Sequence, residues 1–149
     1  MIVYLGGDHA GFDLKEQIES YLLSKGLTVH DLGNTKYDKT DDYPDFGKPV
    51  ADAIAANPEA RGILFCGNAE GICIVANKVD GARAAIGYSL EATTQARNDD
   101  DINIVCLPGR LMSYDEATPI VDAFLETPFE GAERQTRRIN KINKIEEDN

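Results

Sequence analysis

Three features of the sequence predict an α/β fold, a doubly wound α/β/α sandwich of three layers around a parallel five-stranded sheet. Short β-rich apolar runs recur along the chain, segments with helical periodicity lie between them, and glycine, proline and asparagine fall at the joins. Strands that alternate with helices need crossover connections, and the right-handedness of crossovers puts helices on both faces of one sheet.

The first strand is Ile2 to Leu5, followed by the loop Gly6-Gly7-Asp8-His9-Ala10-Gly11. Phe12, Leu14, Ile18, Leu22 and Leu23 return every three or four positions as on a helix, and Lys25-Gly26 supplies the stop. Leu27 to Leu32 is the second strand, with a polar loop from Gly33 to Pro44 after it. A second helix covers Val50 to Ala56 and ends at Asn57-Pro58. Gly62 to Cys66, Ala82 to Gly87 and Ile102 to Leu107 are the remaining strands, and Gly67 to Gly71 opens a helical pattern behind the third. Residues 111–126 read as a helix, and Glu130 to Ile145 as a last one, basic and then acidic. No repeat, low-complexity segment or linker interrupts the chain, so residues 1–149 are expected to form one domain.

Composition narrows the function classes. A hydrophobic share of 42% and a charged share of 28% are those of a folding globular chain. The formal net charge of −11, without a basic run, argues against nucleic acid. Apolar stretches are strand-sized, short of the roughly 20 residues of a membrane span, and Met1 leads into Ile2-Val3-Tyr4-Leu5 without a basic leader, so a cytoplasmic protein is expected. Cys66, Cys73 and Cys106 make neither a paired framework nor a CxxC motif, and His9 and His30 are the only histidines. Disulfides, a metal site and a cofactor are therefore not expected.

Ligands of such sheets bind outside the carboxyl ends of the strands. The glycines after the first strand, with Asp31 about 20 residues further on, suggest a dinucleotide fingerprint. That reading fails, because Asp8 stands where the second glycine must let a pyrophosphate approach, and Phe12 rather than lysine follows Gly11. Alone, Asp8 reads as a helix cap and His9 as a solvated neighbour; at a strand's carboxyl end both are placed to meet a sugar hydroxyl or a phosphate. Cys66 ends an apolar strand and precedes a segment whose backbone N–H groups and positive helix end point at the same spot, which predicts a thiol ionising below its usual value of about 8.5. Cys73 and Cys106 read as core. Arg134 and Arg138 are four apart on one helical face and, with Arg110 and Arg137, form a cationic cluster in an acidic chain, suited to one phosphate.

Together these loops resemble the family of ribose-5-phosphate isomerase B and galactose-6-phosphate isomerase, from the first strand to the final helix. The matching pieces are Gly7-Asp8-His9-Ala10-Gly11, Asp42-Tyr43-Pro44-Asp45-Phe46-Gly47, Cys66-Gly67 with Gly71, Ala76-Asn77-Lys78, Gly81 to Ala84, Asn103, Gly109-Arg110, and Arg134 with Arg138. The resemblance implies a Rossmann-like sandwich and a metal-independent interconversion of aldose and ketose phosphates through a cis-enediol. It implies that Cys66 moves the proton between C1 and C2 while amides from Gly67 through Asn68 to Gly71 hold the enediolate oxygen. Asp8 and Tyr43 would then contact sugar hydroxyls, and His9, Arg110, Arg134 and Arg138 the phosphate. It also implies a homodimer, or a dimer of dimers, with a shared active site.

Two segments depart from the family's pattern. Cys66-Gly67-Asn68-Ala69-Glu70-Gly71 stands where Cys-Gly-Thr-Gly-x-Gly is common, and Asp99-Asp100-Asp101 stands where His-Asn-Asp is common. Asp99 thus occupies the place of a ring-opening histidine, and Asp100 that of a substrate-touching asparagine. Ribose 5-phosphate is the leading substrate; another pentose or hexose phosphate is the runner-up, and a non-catalytic sugar-phosphate-binding homologue the reading from another class. A divalent-cation site on the aspartate triplet ranks behind these, for want of other oxygen ligands.

Overall fold

Strand and helix alternate along the chain in the computed structural model, which describes all 149 residues. The elements are β1 (Ile2–Gly7), α1 (Phe12–Ser24), β2 (Thr28–Asp31), α2 (Pro44–Ala56), β3 (Arg61–Cys66), α3 (Glu70–Ala76), β4 (Ala84–Ile86), α4 (Leu90–Asp100), β5 (Ile104–Pro108), α5 (Tyr114–Glu126) and α6 (Glu133–Glu147). The five strands pair in parallel in the order β2-β1-β3-β5-β4. From β1 the chain crosses to β2 on one side, and from β2 it returns over β1 to β3 on the other. The loops after β1 and β3 therefore diverge and leave a crevice at the carboxyl edge.

Side chains alternate along each strand, so the sheet builds a core on each face. Ile63 and Phe65 of β3 join Val3, Leu5, Val105 and Leu107 against Ile18 and Leu22 of α1 and Val121 and Phe124 of α5. Leu64 and Cys66 point the other way, packing with Ile104 and Cys106 against Val50 and Ile54 of α2 and Ile72, Cys73 and Ala76 of α3. Cys73 and Cys106 are core residues, as their apolar surroundings predict.

Three elements differ from the pattern in the sequence. Helix α2 begins at Pro44, six positions before the apolar repeat, because a proline in the first turn lacks only an N–H that the helix does not use there. Helix α4 carries no apolar stripe; the residues it buries are Thr93 and Arg97. Its signal is a polar cap, with Ser89 Oγ accepting the Ala92 N–H at 3.0 Å. Helix α5 starts at Tyr114 rather than at 111, after a capping box in which Ser113 and Glu116 satisfy each other's backbone N–H groups.

Candidate active site

Backbone hydrogen bonds tie three strand ends into one platform. The Asp8 N–H donates to the Phe65 carbonyl at 3.2 Å, the Gly109 N–H to the Cys66 carbonyl at 2.8 Å, and the Arg110 N–H to the Gly67 carbonyl at 3.0 Å. The turn after β1 lies so close to β3 that a Cβ on Gly11 would stand 2.5 Å from the Phe65 carbonyl carbon. The result is a cleft of about 310 Å³. Asp8, His9, Tyr43 and Cys66 line it, as do Gly67, Asn68, Gly71 and Arg110, together with Ala10 and Leu111.

Asp8 is fixed by its own loop: Oδ1 accepts the N–H groups of Ala10 at 3.0 Å and Gly11 at 3.1 Å. The reading of Asp8 as a helix cap is corrected: the N-cap of α1 is Gly11, with no side-chain bond, and Asp8 braces the turn before the helix and leaves Oδ2 without a bond. His9 is not a solvated neighbour; its ring is bonded through Nδ1 to Asp41 at 2.7 Å. Tyr43 stands at the N-cap of α2 with its ring laid over Gly71, where a Cβ would come within 2.7 Å of Cζ. Only glycine leaves that aromatic ring its place in the cleft wall.

Cys66 is 3% exposed at the tip of β3. Burial pushes its thiol up from the ordinary range; the amides of Ile72, Ala69 and Asn68 pull it down by less, and the Asp8 carboxylate adds to the rise. The expectation of a thiol that ionises unusually early is therefore corrected in direction. The amides do converge on sulfur as expected, but desolvation disfavours the thiolate more than a helix of seven residues favours it.

Four residues of the sequence reading do not line this cleft. Asp99 and Asp100 face a second cavity of about 650 Å³, shared with Glu70, Cys73 and Tyr88. The Asp99 carboxylate accepts from Gln135 Nε2 at 2.8 Å and from Asn98 Nδ2 at 2.9 Å, and so binds the end of α4 to the start of α6. Asp101 is held by Arg83 at 3.0 Å and Arg97 at 2.8 Å. Asp99 and Asp101 thus send their carboxylates to separate partners. Arg134 and Arg138 lie on the exposed side of α6, and within one chain they reach neither cavity. Sequence reasoning passed over Asp41 and Asn34, which hold His9 in place; a run of aspartates in a polar loop offers no local sign of such a bond.

The chain matches the family model described as Ribose/Galactose Isomerase over residues 3–142. A ribose-5-phosphate isomerase B of Mycolicibacterium paratuberculosis is 42% identical over 146 residues, 98% of this chain and 92% of that one. A D-erythrulose-4-phosphate isomerase of Pectobacterium atrosepticum is 40% identical over 132 residues, 87% of this chain and 85% of that one. The crystal structure of ribose-5-phosphate isomerase B from Mycoplasma genitalium, with bound ribulose 5-phosphate, superposes with a TM-score of 0.95 at 41% identity, covering 99% of this chain and 97% of that one. The chain therefore belongs to the ribose/galactose isomerase family, the sugar-phosphate isomerases that interconvert aldoses and ketoses.

Proposed function

We propose that the protein interconverts ribose 5-phosphate and ribulose 5-phosphate, with Cys66 as the proton-transferring base. The observation that carries this reading is the cleft itself, which gathers a thiol under three converging amides, a braced carboxylate, an imidazole and the Arg110 guanidinium at one sheet edge. The Cys66 thiolate takes the proton from C2 of the open-chain aldose. The C–H electron pair becomes the C1–C2 double bond, and the carbonyl pair moves onto O1. Loop amides from Gly67 to Gly71, rather than a metal ion, stabilise that oxyanion. The thiol then returns its proton to C1 as a proton passes from O2 to O1, which completes the ketose. Asp8 and Tyr43 hold sugar hydroxyls, and His9 and Arg110 the phosphate.

Arg134 and Arg138 join that phosphate site from a second copy of the chain, and Asp99, with Asp100 beside it, assists ring opening from the same copy. Two observations support a shared site: these residues lie away from the cleft of their own chain, and Ile74, Tyr88 and Leu90 are 60%, 73% and 52% exposed. A second reading, a four-carbon sugar phosphate as substrate, is favoured by the relative named for erythrulose 4-phosphate.

The test is incubation with a panel of four-, five- and six-carbon aldose phosphates in D₂O, followed by NMR for ketose and for deuterium at C2. Ribose 5-phosphate should be converted fastest, and Cys66→Ala should abolish both ketose and deuterium uptake while substrate still binds. Exchange that persists in Cys66→Ala would remove the base assignment, and a preference for the four-carbon substrate would favour the second reading.

A further inference from the structure

Asp41 is absent from the cleft lining, yet it grips a residue that faces the cleft. Its side chain is 8% exposed and both oxygens are engaged. Oδ1 accepts twice from His9, from the backbone N–H at 2.9 Å and from ring Nδ1 at 2.7 Å. Oδ2 accepts from Asn34 Nδ2 at 2.6 Å. Asn34 is itself anchored, since its N–H donates to the Gly7 carbonyl at 2.8 Å while the Gly7 N–H donates to the Gly33 carbonyl at 2.7 Å. The Tyr37 ring meets the imidazole edge-on, with centroids 6.5 Å apart.

A carboxylate only accepts, so Nδ1 carries the proton of the bond to Asp41. Nε2 has no partner within the chain and is the nitrogen open to a ligand. We propose that Asp41 is a positioning residue for phosphate recognition, accepting the Nδ1–H of His9 and so holding the ring in one orientation with Nε2 turned to the substrate phosphate. The inference rests on the reading of His9 as a phosphate ligand. The imidazolium carries an N–H on both nitrogens, so with Nδ1–H held by the Asp41 carboxylate it is Nε2–H that donates to a phosphate oxygen. Asp8 does not take this part, because its Oδ1 is engaged by the Ala10 and Gly11 amides and neither oxygen bonds the imidazole. A histidine held in this way loses no ring freedom when the anion arrives, which is the general advantage of supporting a ligand residue from behind.

Nitrogen-15 NMR of the full-length protein reads the tautomer, with His30, stacked on Tyr4 in the sheet, as internal reference. Neutral His9 should be Nδ1–H in the wild type and should revert toward Nε2–H, the form favoured in free imidazole side chains, in Asp41→Asn; His30 should not change. Asp41→Asn should raise KM for the phosphorylated substrate about tenfold, the loss of one charge-assisted bond, with most of the effect outside kcat. In a His9→Ala background the same substitution should add nothing further to KM. An Nε2–H tautomer in the wild type, a loss confined to kcat, or full additivity with His9→Ala would each overturn the assignment. The wild-type tautomer needs no variant to fold. Titration with inorganic phosphate, followed at His9 Nε2, needs no turnover: if phosphate perturbs Nε2 while ribose 5-phosphate is not isomerised, the substrate reading fails and the positioning role stands.

Discussion

Ala69 adopts a left-handed backbone, φ 73°, at the N-cap of α3, beside Cys66 in the loop whose amides face the thiol. A Cβ in that region costs roughly 1 kcal/mol, and glycine is free of the cost. The fully buried methyl offsets part of it through packing. Ala69→Gly should therefore leave urea stability unchanged or higher, where the same substitution in the middle of a helix lowers it by about 1 kcal/mol. Cys66 makes a second prediction at this scale. Its burial raises the thiol, so the thiolate, the base of the proposed reaction, is scarce near neutrality and grows as pH rises. The isomerisation rate should climb with pH beyond the ordinary thiol range of about 8.5. A plateau reached below pH 7 in a pH–rate profile would contradict this.

At the scale of elements, helices place charge where strands alone could not. Lys15 on α1 is fully buried, and its ammonium is bonded to Asp31 at the end of β2 and to Glu16 at 2.8 Å, with the Phe12 ring 5.5 Å away. Asp31 in turn accepts the Gly33 N–H at 2.9 Å, so the pair secures the start of the loop that carries Asn34 and Asp41. Lys15→Ala, which removes one partner of a buried pair, should cost about 3 kcal/mol in chemical denaturation. Helix α6 makes the complementary case. Gln135 ties it to Asp99 of α4 and to Glu130, both at 2.8 Å, while Arg134 and Arg138 remain on the open side. Either arginine replaced by alanine should mainly raise KM for phosphorylated substrates and leave the fold intact, as read by steady-state kinetics and circular dichroism.

For the whole molecule, buried thiols link stability to pH. Burial raises Cys66, and it raises Cys106 well above the ordinary thiol range; a hydrogen bond from Cys106 lowers Cys73 and offsets part of the sum. Above about pH 8.5 the unfolded chain releases thiol protons that folded Cys66 and Cys106 retain. The unfolded state then binds fewer protons, so this contribution to stability is whole below that pH and declines as pH rises. Urea midpoints measured from pH 7 to 10 should fall, and Cys106→Ala should flatten the slope after an initial loss from its cavity.

The alternation of strands and helices was legible in the residues, and so were the strand ends that present Asp8, Cys66 and Arg110. Periods of two and 3.6, and glycines at joins, are properties of neighbours in sequence. Helix α4 was not legible, because its inner face is held by the guanidinium of Arg97 on the Ile102 carbonyl and Asp101 instead of by an apolar stripe. Strand order, with β5 inserted between β3 and β4, depends on which crossovers pack best, a property of the assembled sheet. The direction of the Cys66 thiol followed from desolvation by elements distant in sequence, against the local pull of the amides. His9 and Asp41, 32 residues apart, meet because the loop after β2 folds back onto the turn after β1. The sequence by itself determined which side chains stand at the carboxyl edge; tertiary structure decided their partners and their solvation, because both are set by groups that come close only when the chain folds.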